Sequence, residues 1–192
     1  MFHKRTLVAL TAMALLVVVS GCGRAEPEPV LKQGVPSMRI QVTSAAFTEG
    51  ARIPVQYTCD GEDKSPGLKW SGLPDGGRSI ALIADDPDAP GATWVHWVLY
   101  GLSADTTELN EGVPATETLS SGSRQGTNDF KKIGYGGPCP PPGHGVHRYY
   151  FKVYALDSEL GLPPGVTKSD LLRAMDGHIV AQGQLMGTYE RK

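Results

Sequence analysis

Residues 134–149 read Gly-Tyr-Gly-Gly-Pro-Cys-Pro-Pro-Pro-Gly-His-Gly-Val-His-Arg-Tyr. Three consecutive prolines and five glycines in this segment are incompatible with a helix or an inner strand, so it is predicted to be a stiff, irregular loop. His144, His147 and Tyr149 lie where the loop runs into an apolar segment. A rigid backbone that delivers hydrogen-bonding groups to one rim is typical of a binding site.

A second polar cluster, Asp85-Asp-Pro-Asp-Ala-Pro-Gly-Ala-Thr-Trp-Val-His-Trp97, surrounds a proline turn. Asp86 ends one apolar segment just before the turn, and strand alternation places His96 on the same face as Trp94. Because a carboxylate can orient an imidazole and select its tautomer, Asp86 is expected to meet His96. The alternative is that His96 is a core histidine with satisfied hydrogen bonds. Asp88 is expected to bind turn amides.

The remaining pattern is one of short apolar segments separated by Gly/Pro turns. The segments predicted to be strands are Met38–Val42, Arg52–Tyr57, Ser79–Ala84, Trp94–Tyr100, Tyr149–Leu156 and Gln184–Tyr189. One helix is predicted, because Thr167-Lys-Ser-Asp170 forms a capping box. Its apolar positions are Leu171, Leu172, Met175 and Ile179, and Gly183 is predicted to close the segment. Many short strands with such turns indicate a mainly β fold, a two-sheet β-sandwich.

These segments resemble the phosphatidylethanolamine-binding protein family, and most closely its bacterial Raf-kinase-inhibitor-like branch. In chain order, the matching segments are Tyr57–Gly61, Ser65-Pro66, Asp86–Pro90, Trp94–Trp97, Gly137–Pro141 and His147–Tyr149. The resemblance extends over residues 38–190 of the sequence. It implies an antiparallel two-sheet Greek-key β-sandwich with a few peripheral helices.

The resemblance also implies a ligand pocket. It maps Asp86 and His96 onto the pocket of the family, and His147 and Tyr149 share one strand face across the cleft. The expected ligand-binding residues are Asp86, Trp94, His96, Gly137, Pro140, His147 and Tyr149. A phosphate or similar oxyanion would be held by imidazole N–H groups, the tyrosyl hydroxyl and loop amides around Gly136 and Gly137. Arg148, on the opposite face, is either a structural ion pair or a weaker ligand candidate, and His144 is expected to be exposed to solvent.

The N-terminal residues are predicted to be a targeting segment. Lys4 and Arg5 precede the apolar run Leu7–Val19, and Val19-Ser-Gly-Cys22 resembles a bacterial lipobox. We therefore expect a signal peptide over residues 1–21, lipidation of Cys22 with acyl chains such as palmitate, a flexible tether over residues 22–37 and one domain over residues 38–192. The protein would be a membrane-anchored lipoprotein of the bacterial cell envelope, and Gly23 is compatible with export to an outer membrane. The alternatives are ordinary cleavage with secretion and a transmembrane helix, although the apolar run is short for a bilayer.

The cysteine count agrees with export. If Cys22 is acylated, Cys59 and Cys139 remain as an even pair in a compartment that permits disulfides. Both lie in motif loops that the family fold brings towards the same end of the domain, so a disulfide between them is predicted. The alternative is two free thiols, because the sequence does not supply their separation.

Charge and motifs exclude several functions. The formal net charge is −2, and loss of Lys4 and Arg5 with the signal peptide would change it to −4, so nucleic acid is not an expected partner.

A zinc site is an alternative use of the same residues, since Asp86, His96, Cys139, His144 and His147 are all possible zinc ligands. The sequence has no Cys-x-x-Cys or His-Glu-x-x-His pair, so no metal or cofactor is expected. It also has no Gly-x-Ser-x-Gly elbow, so we do not expect an enzyme. The catalytic alternative is a hydrolase in which Asp86 and His96 supply a base and the group that orients it.

The leading functional hypothesis is a non-catalytic envelope protein that binds a phosphate-bearing head group, such as that of a phospholipid, or another small anion. The alternative, also implied by the resemblance, is an inhibitor of a serine peptidase or other envelope enzyme. Such an inhibitor would insert an exposed loop into its partner, and the candidate loops are residues 111–128 and 161–165. A protein partner or a homodimer is compatible with both hypotheses.

Lipidation of Cys22 can be tested directly. Replacement Cys22→Ala should leave an unprocessed precursor, because the acylated cysteine is the processing site. Intact-mass measurement of the wild-type protein from membranes should show acyl chains on Cys22. A free N-terminus at another residue, without acyl chains, would contradict the prediction.

Overall fold

The computed structural model describes residues 38–192. The predicted signal peptide, the lipidation site Cys22 and the tether lie outside these residues. Within residues 38–192, none of the helices has the length and apolar character needed to cross a membrane.

The described residues form two β-sheets and one α-helix. The strands are β1 (Met38–Arg39), β2 (Gln41–Thr43), β3 (Leu68–Ser71), β4 (Ser79–Asp86), β5 (Trp94–Ser103), β6 (Glu108–Leu109), β7 (Arg124–Gln125), β8 (His147–Leu156) and β9 (Ile179–Tyr189). Helix α1 (Lys168–Met175) precedes β9, and a 3₁₀ helix spans Val55–Tyr57. The large sheet has the order β1-β9-β8-β4-β5-β7, and the small sheet has the order β2-β3-β6. The predicted mainly β fold with two sheets is confirmed.

Strand β4 lies at the centre of the hydrophobic core because both of its faces are covered. Leu82 and Ala84 pack in the core between the two sheets, whereas Ala81 and Ile83 belong to the core that includes α1. A strand buried on both faces has a continuous apolar sequence, and this explains the unbroken apolar run that predicted β4.

Helix α1 begins where the sequence predicts. Thr167 is the N-cap, and its side chain and that of Asp170 form the reciprocal hydrogen bonds of a capping box. The helix nevertheless ends at Met175, so the prediction that it continued past Ile179 to Gly183 is wrong. Gly177 has a φ of 74°, a conformation that stops the helix, and the chain enters β9 two residues later.

Two predicted strands have a different form. Met38–Val42 is divided between the sheets: β1 pairs with β9 in parallel, and β2 pairs with β3 in the antiparallel direction. The strand predicted for Arg52–Tyr57 is wrong, since Pro54 starts the 3₁₀ helix there and leaves a single bridge from Arg52 to Thr188. The short strands β3, β6 and β7 were not predicted from the sequence.

Gly183 lies inside β9 and not at a helix end, and the structure explains why it is glycine. A Cβ atom added there would lie 1.8 Å from the carbonyl oxygen of Ile40, between β1 and β2. We expect Gly183→Ala to lower the free energy of unfolding by about 1–3 kcal/mol, because the backbone must move to relieve this overlap. Urea denaturation would measure the loss. Gly161→Ala is the matched control, since a Cβ there meets no atom within 4 Å and its φ is not positive, and an equal loss in both variants would contradict the explanation.

Candidate ligand site

The candidate site lies at one end of the large sheet, where β4 ends and β5 and β8 begin. Because both β5 and β8 run antiparallel to β4, Asp86 pairs with Trp94 and Asp85 pairs with Tyr150. This topology brings the proline turn and the loop before β8 to the same edge. Two segments about sixty residues apart in the chain thus contribute to one site.

His96 is placed by an irregularity in the β4–β5 pairing. Val95 is opposite Asp85 and Trp97 is opposite Ala84, which leaves His96 as an extra residue in β5. Such a bulge turns a side chain away from simple alternation. The imidazole of His96 packs edge-on against Phe130 and Tyr149, with ring centroids 5.4 and 5.2 Å away. Trp94, which is 37% exposed, contacts the same Phe130 ring.

We call Asp86, His96, His144, His147 and Tyr149 the imidazole cluster. Four of its members are buried, with exposed fractions of 4% or less, and His144 is exposed. Burial of several polar groups in one place requires that they bind one another or a ligand.

Asp86 binds His147 and not His96, so the expected Asp86–His96 contact is wrong. The carboxylate Oδ2 of Asp86 lies 2.7 Å from Nδ1 of His147, and its Oδ1 accepts the amide hydrogen of Asp88. An ionised carboxylate only accepts, so Nδ1 of His147 carries the proton and Nε2 of neutral His147 is an acceptor. Nδ1 of His144 lies 2.7 Å from this Nε2, and with neutral His147 it is the donor of their hydrogen bond.

His96 is held by the loop instead. Its Nδ1 lies 2.7 Å from the carbonyl oxygen of Gly136, which can only accept, so neutral His96 carries its proton on Nδ1 and keeps Nε2 as an acceptor. Burial lowers the pKa of His96, although the Gly136 carbonyl and the charge of Asp86 oppose this. His96 and Trp94 contact the same Phe130 ring, as their predicted common face requires, but the Nδ1 of His96 is taken by the loop carbonyl and the Asp86 carboxylate is taken by His147.

Tyr149 supplies a donor to the cluster. Its hydroxyl is buried, and within residues 38–192 it makes no hydrogen bond of normal geometry. Burial raises the pKa of Tyr149, and the charge of the nearby Asp86 carboxylate, together with a weak hydrogen bond from the phenol to it, raises this pKa further. The phenol therefore remains protonated and can donate to a ligand.

The loop amides do not have the predicted role. The amide of Gly137 donates to Oδ1 of Asp63 at 2.6 Å, and the amide of Gly136 donates to the carbonyl of His96 at 2.9 Å. Both amides are therefore occupied by the protein and are not free for an anion. Gly137 is required by packing, since a Cβ there would lie 2.4 Å from the carbonyl oxygen of Tyr57.

A disulfide joins Cys59 to Cys139 and fastens the loop. The amide of Cys59 also donates to the carbonyl of Pro138, and Pro140 beside the disulfide is buried. The thiol of Cys139 is therefore not available to a metal. Over the described range 38–192, no group of three or more His, Cys, Asp or Glu side chains could hold a metal ion.

Asp88 forms an ion pair at the rim of the site and does not bind the turn amides predicted for it. Its carboxylate accepts two hydrogen bonds from the guanidinium of Arg148, at 2.7 and 2.8 Å, and a third from the Arg148 amide. The guanidinium lowers the pKa of Asp88. Arg148 therefore forms a structural ion pair, which is one of the two roles that the sequence suggested for it.

Two features of the site were not predicted from the sequence: the Phe130 ring and the contact of His144 with His147. The His-x-x-His spacing of residues 144 and 147 was the available signal for the second.

Comparisons with known proteins agree with the fold and the motifs. The family profile described as phosphatidylethanolamine-binding protein matches residues 43–190. A UPF0098 protein of Methanothermobacter thermautotrophicus is 52% identical over 146 residues, which cover 76% of this chain and 95% of the relative. The crystal structure of a PEBP homologue from Chlamydia trachomatis is similar, with a TM-score of 0.72 and 45% sequence identity. The match covers 81% of this chain and 100% of the Chlamydia chain. The crystal structure of E. coli YbcL, a member of the mammalian PEBP family, is also similar, with a TM-score of 0.71 and 34% sequence identity. This match covers 80% of this chain and 99% of the YbcL chain.

The lowered pKa of His96 should make stability depend on pH. Below the ordinary histidine pKa of about 6.5, the unfolded chain takes up a proton that buried His96 does not accept. The free energy of unfolding should therefore fall as pH decreases below that value, by at most about 1.4 kcal/mol per pH unit from this residue. Urea denaturation at pH 7.5, 6.5 and 5.5 would measure it. In His96→Phe the unfolding free energy should fall less steeply as pH decreases. An equal dependence on pH in the two proteins would contradict the attribution of this effect to His96.

Proposed function

The chain belongs to the phosphatidylethanolamine-binding protein family, and on that premise we propose that it is a cell-envelope lipoprotein that binds a phosphate-bearing head group or another small anion. Binding would occur at the imidazole cluster and would not be followed by a reaction. The observation that carries the proposal is the Tyr149 hydroxyl, a buried and protonated donor that makes no hydrogen bond of normal geometry among residues 38–192 and has only a weak contact with the Asp86 carboxylate. A buried donor of this kind costs free energy unless a ligand accepts from it.

The chemistry of the cluster determines how an anion is accommodated. In the neutral state Tyr149 is a donor, whereas Nε2 of His96 and Nε2 of His147 are acceptors. An oxyanion can accept from Tyr149 but requires a second donor. A proton on Nε2 of His147 supplies this donor, and the resulting imidazolium is paired with the Asp86 carboxylate 2.7 Å away. A protonated phosphate can instead bring its own hydrogen and donate it to an imidazole. Both routes couple anion binding to a proton.

Binding is favoured over catalysis by the contact of His147. An Asp–His pair of this geometry serves as a general base when Nε2 faces a hydroxyl or thiol nucleophile. Here Nε2 of His147 faces the ring nitrogen of His144. The comparisons support membership of the family, and the name of that family refers to a phospholipid whose head group carries a phosphate.

The inhibitor alternative gains no support from the two candidate loops. Residues 161–165 are fastened to the large sheet, because the Tyr100 hydroxyl donates to the Pro163 carbonyl and the Gly165 amide donates to the Gln125 carbonyl. The guanidinium of Arg124 joins the loop 111–128 to the Leu162 carbonyl at 2.9 Å. Loops held in this way differ from the extended, protruding segment that inserts into a peptidase.

Tyr149→Phe provides a sharp test, because it removes only this hydroxyl. Loss of a hydrogen bond to a charged acceptor should weaken binding of inorganic phosphate and glycerophosphoethanolamine about ten- to hundredfold, with little change in unfolding free energy. Calorimetric titration in two buffers of different ionisation enthalpy would measure the affinity and the proton taken up. His147→Ala should weaken binding and reduce that proton uptake, because only the acceptor of His96 remains.

Tyr100→Phe is the matched control. Its hydroxyl donates to the Pro163 carbonyl, so this variant should lose stability, about 1 kcal/mol, and keep the affinity of the wild-type protein. Wild-type affinity in both Tyr149→Phe and His147→Ala would show that the imidazole cluster is not the binding site.

A further inference from the structure

We infer that His144 competes with the ligand for His147. In the free protein the His144 ring is hydrogen-bonded to His147, and it must move away when an anion binds. The inference rests on the proposed function and adds a residue that determines which ligands the site accepts. His144 is exposed, as expected from its position in the loop, and its ring nitrogen also contacts His147.

The contact between the two rings is specific. Nδ1 of His144 and Nε2 of His147 are 2.7 Å apart, and the ring centroids are 4.9 Å apart at an interplanar angle of 65°. His147 is only 1% exposed, whereas His144 belongs to a run of exposed residues, 141–146. His144 therefore occupies the one ring nitrogen of His147 that Asp86 leaves available.

The backbone around His144 is compatible with movement of the side chain. Gly143 and Gly145 flank it with φ values of 75° and 93°, and a Cβ at either position would meet no atom within 4 Å. The loop is positioned by hydrogen bonds from the Gly143 amide to Arg191 and from the His144 amide to Pro141. Rotation of the His144 side chain breaks neither of them, and rotamer changes of exposed side chains are fast.

Ligand and His144 cannot bind Nε2 of His147 together. This ring nitrogen makes one hydrogen bond: an oxyanion needs a proton on it, a protonated phosphate needs its lone pair, and His144 also needs its lone pair, so ligand and His144 exclude each other. Displacement of His144 lowers the affinity of every ligand that uses His147. A charge-assisted hydrogen bond is about twice as strong as a neutral one, so an anion can displace His144 more readily than a neutral ligand can. His144 therefore makes the site selective for charged oxygen acceptors.

The test compares three variants with the wild-type protein by calorimetric titration at pH 7.5, with inorganic phosphate and glycerophosphoethanolamine as probes. His144→Ala removes the competitor and should tighten binding about three- to tenfold. His144→Asn keeps an amide donor near the position of Nδ1 and should return the affinity towards the wild-type value. His178→Ala is the control, because His178 is likewise an exposed histidine with one side-chain partner, the carboxylate of Asp157, but lies before β9 at the opposite end of the sheet from His147.

The outcomes separate this inference from the proposed function. If wild type and His144→Ala bind equally, or if His144→Ala binds more weakly, the competitor role is overturned while anion binding stands. If neither protein binds either probe, the proposed function fails and the competitor role fails with it. Tighter binding by His144→Ala, reversed by His144→Asn and absent in His178→Ala, is the result that we expect.

Discussion

Strand β4 is buried along its whole length, from Ser79 to Asp86, and ends in two adjacent carboxylates. Burial of a carboxylate in the core is costly unless a cation or hydrogen-bond donors compensate its charge. Strand alternation directs Asp85 and Asp86 to opposite faces of the large sheet, so two separate sets of partners must be present at this end. The structure at this edge of the sheet depends on that requirement.

On the face that packs against α1, Asp85 has two lysine partners. The ammonium of Lys152 lies 3.1 Å and that of Lys168 lies 3.0 Å from Oδ2 of Asp85. Lys168 is the first residue of α1, so this ion pair also ties the start of the helix to the end of β4. The compensation of Asp85 is electrostatic and uses residues distant in the chain. On the other face Asp86 has a histidine, whose charge depends on its proton.

This difference gives the two faces of the sheet different chemical roles. On one face the charge of Asp85 is neutralised by lysines, whereas on the other face the hydrogen bonds around Asp86 change when a histidine gains or loses a proton. A tyrosyl donor and two imidazole acceptors surround one carboxylate, and the loop that covers them is held by the Cys59–Cys139 disulfide. The ion pair of Asp60 with Arg191 lies beside this disulfide, since the guanidinium of Arg191 also approaches the Cys139 sulfur. The base of the loop is therefore held in place, while the exposed side chain of His144 at its tip is able to move.

The sequence was sufficient to predict the fold class, the start of α1, the central strands and four residues of the imidazole cluster, Asp86, His96, His147 and Tyr149. Those features follow from local patterns: a capping box, an apolar run and a loop rich in proline and glycine. Only the tertiary structure decided the partner of each side chain. His96 bonds to the Gly136 carbonyl of the loop, and Asp86 binds His147, a contact between residues 61 positions apart. The role of Gly183 depends likewise on a distant segment, since the backbone at Ile40 passes against β9. Periodicity along the chain carries no information about such bulges and close approaches, because they arise from the packing of segments that are remote in sequence.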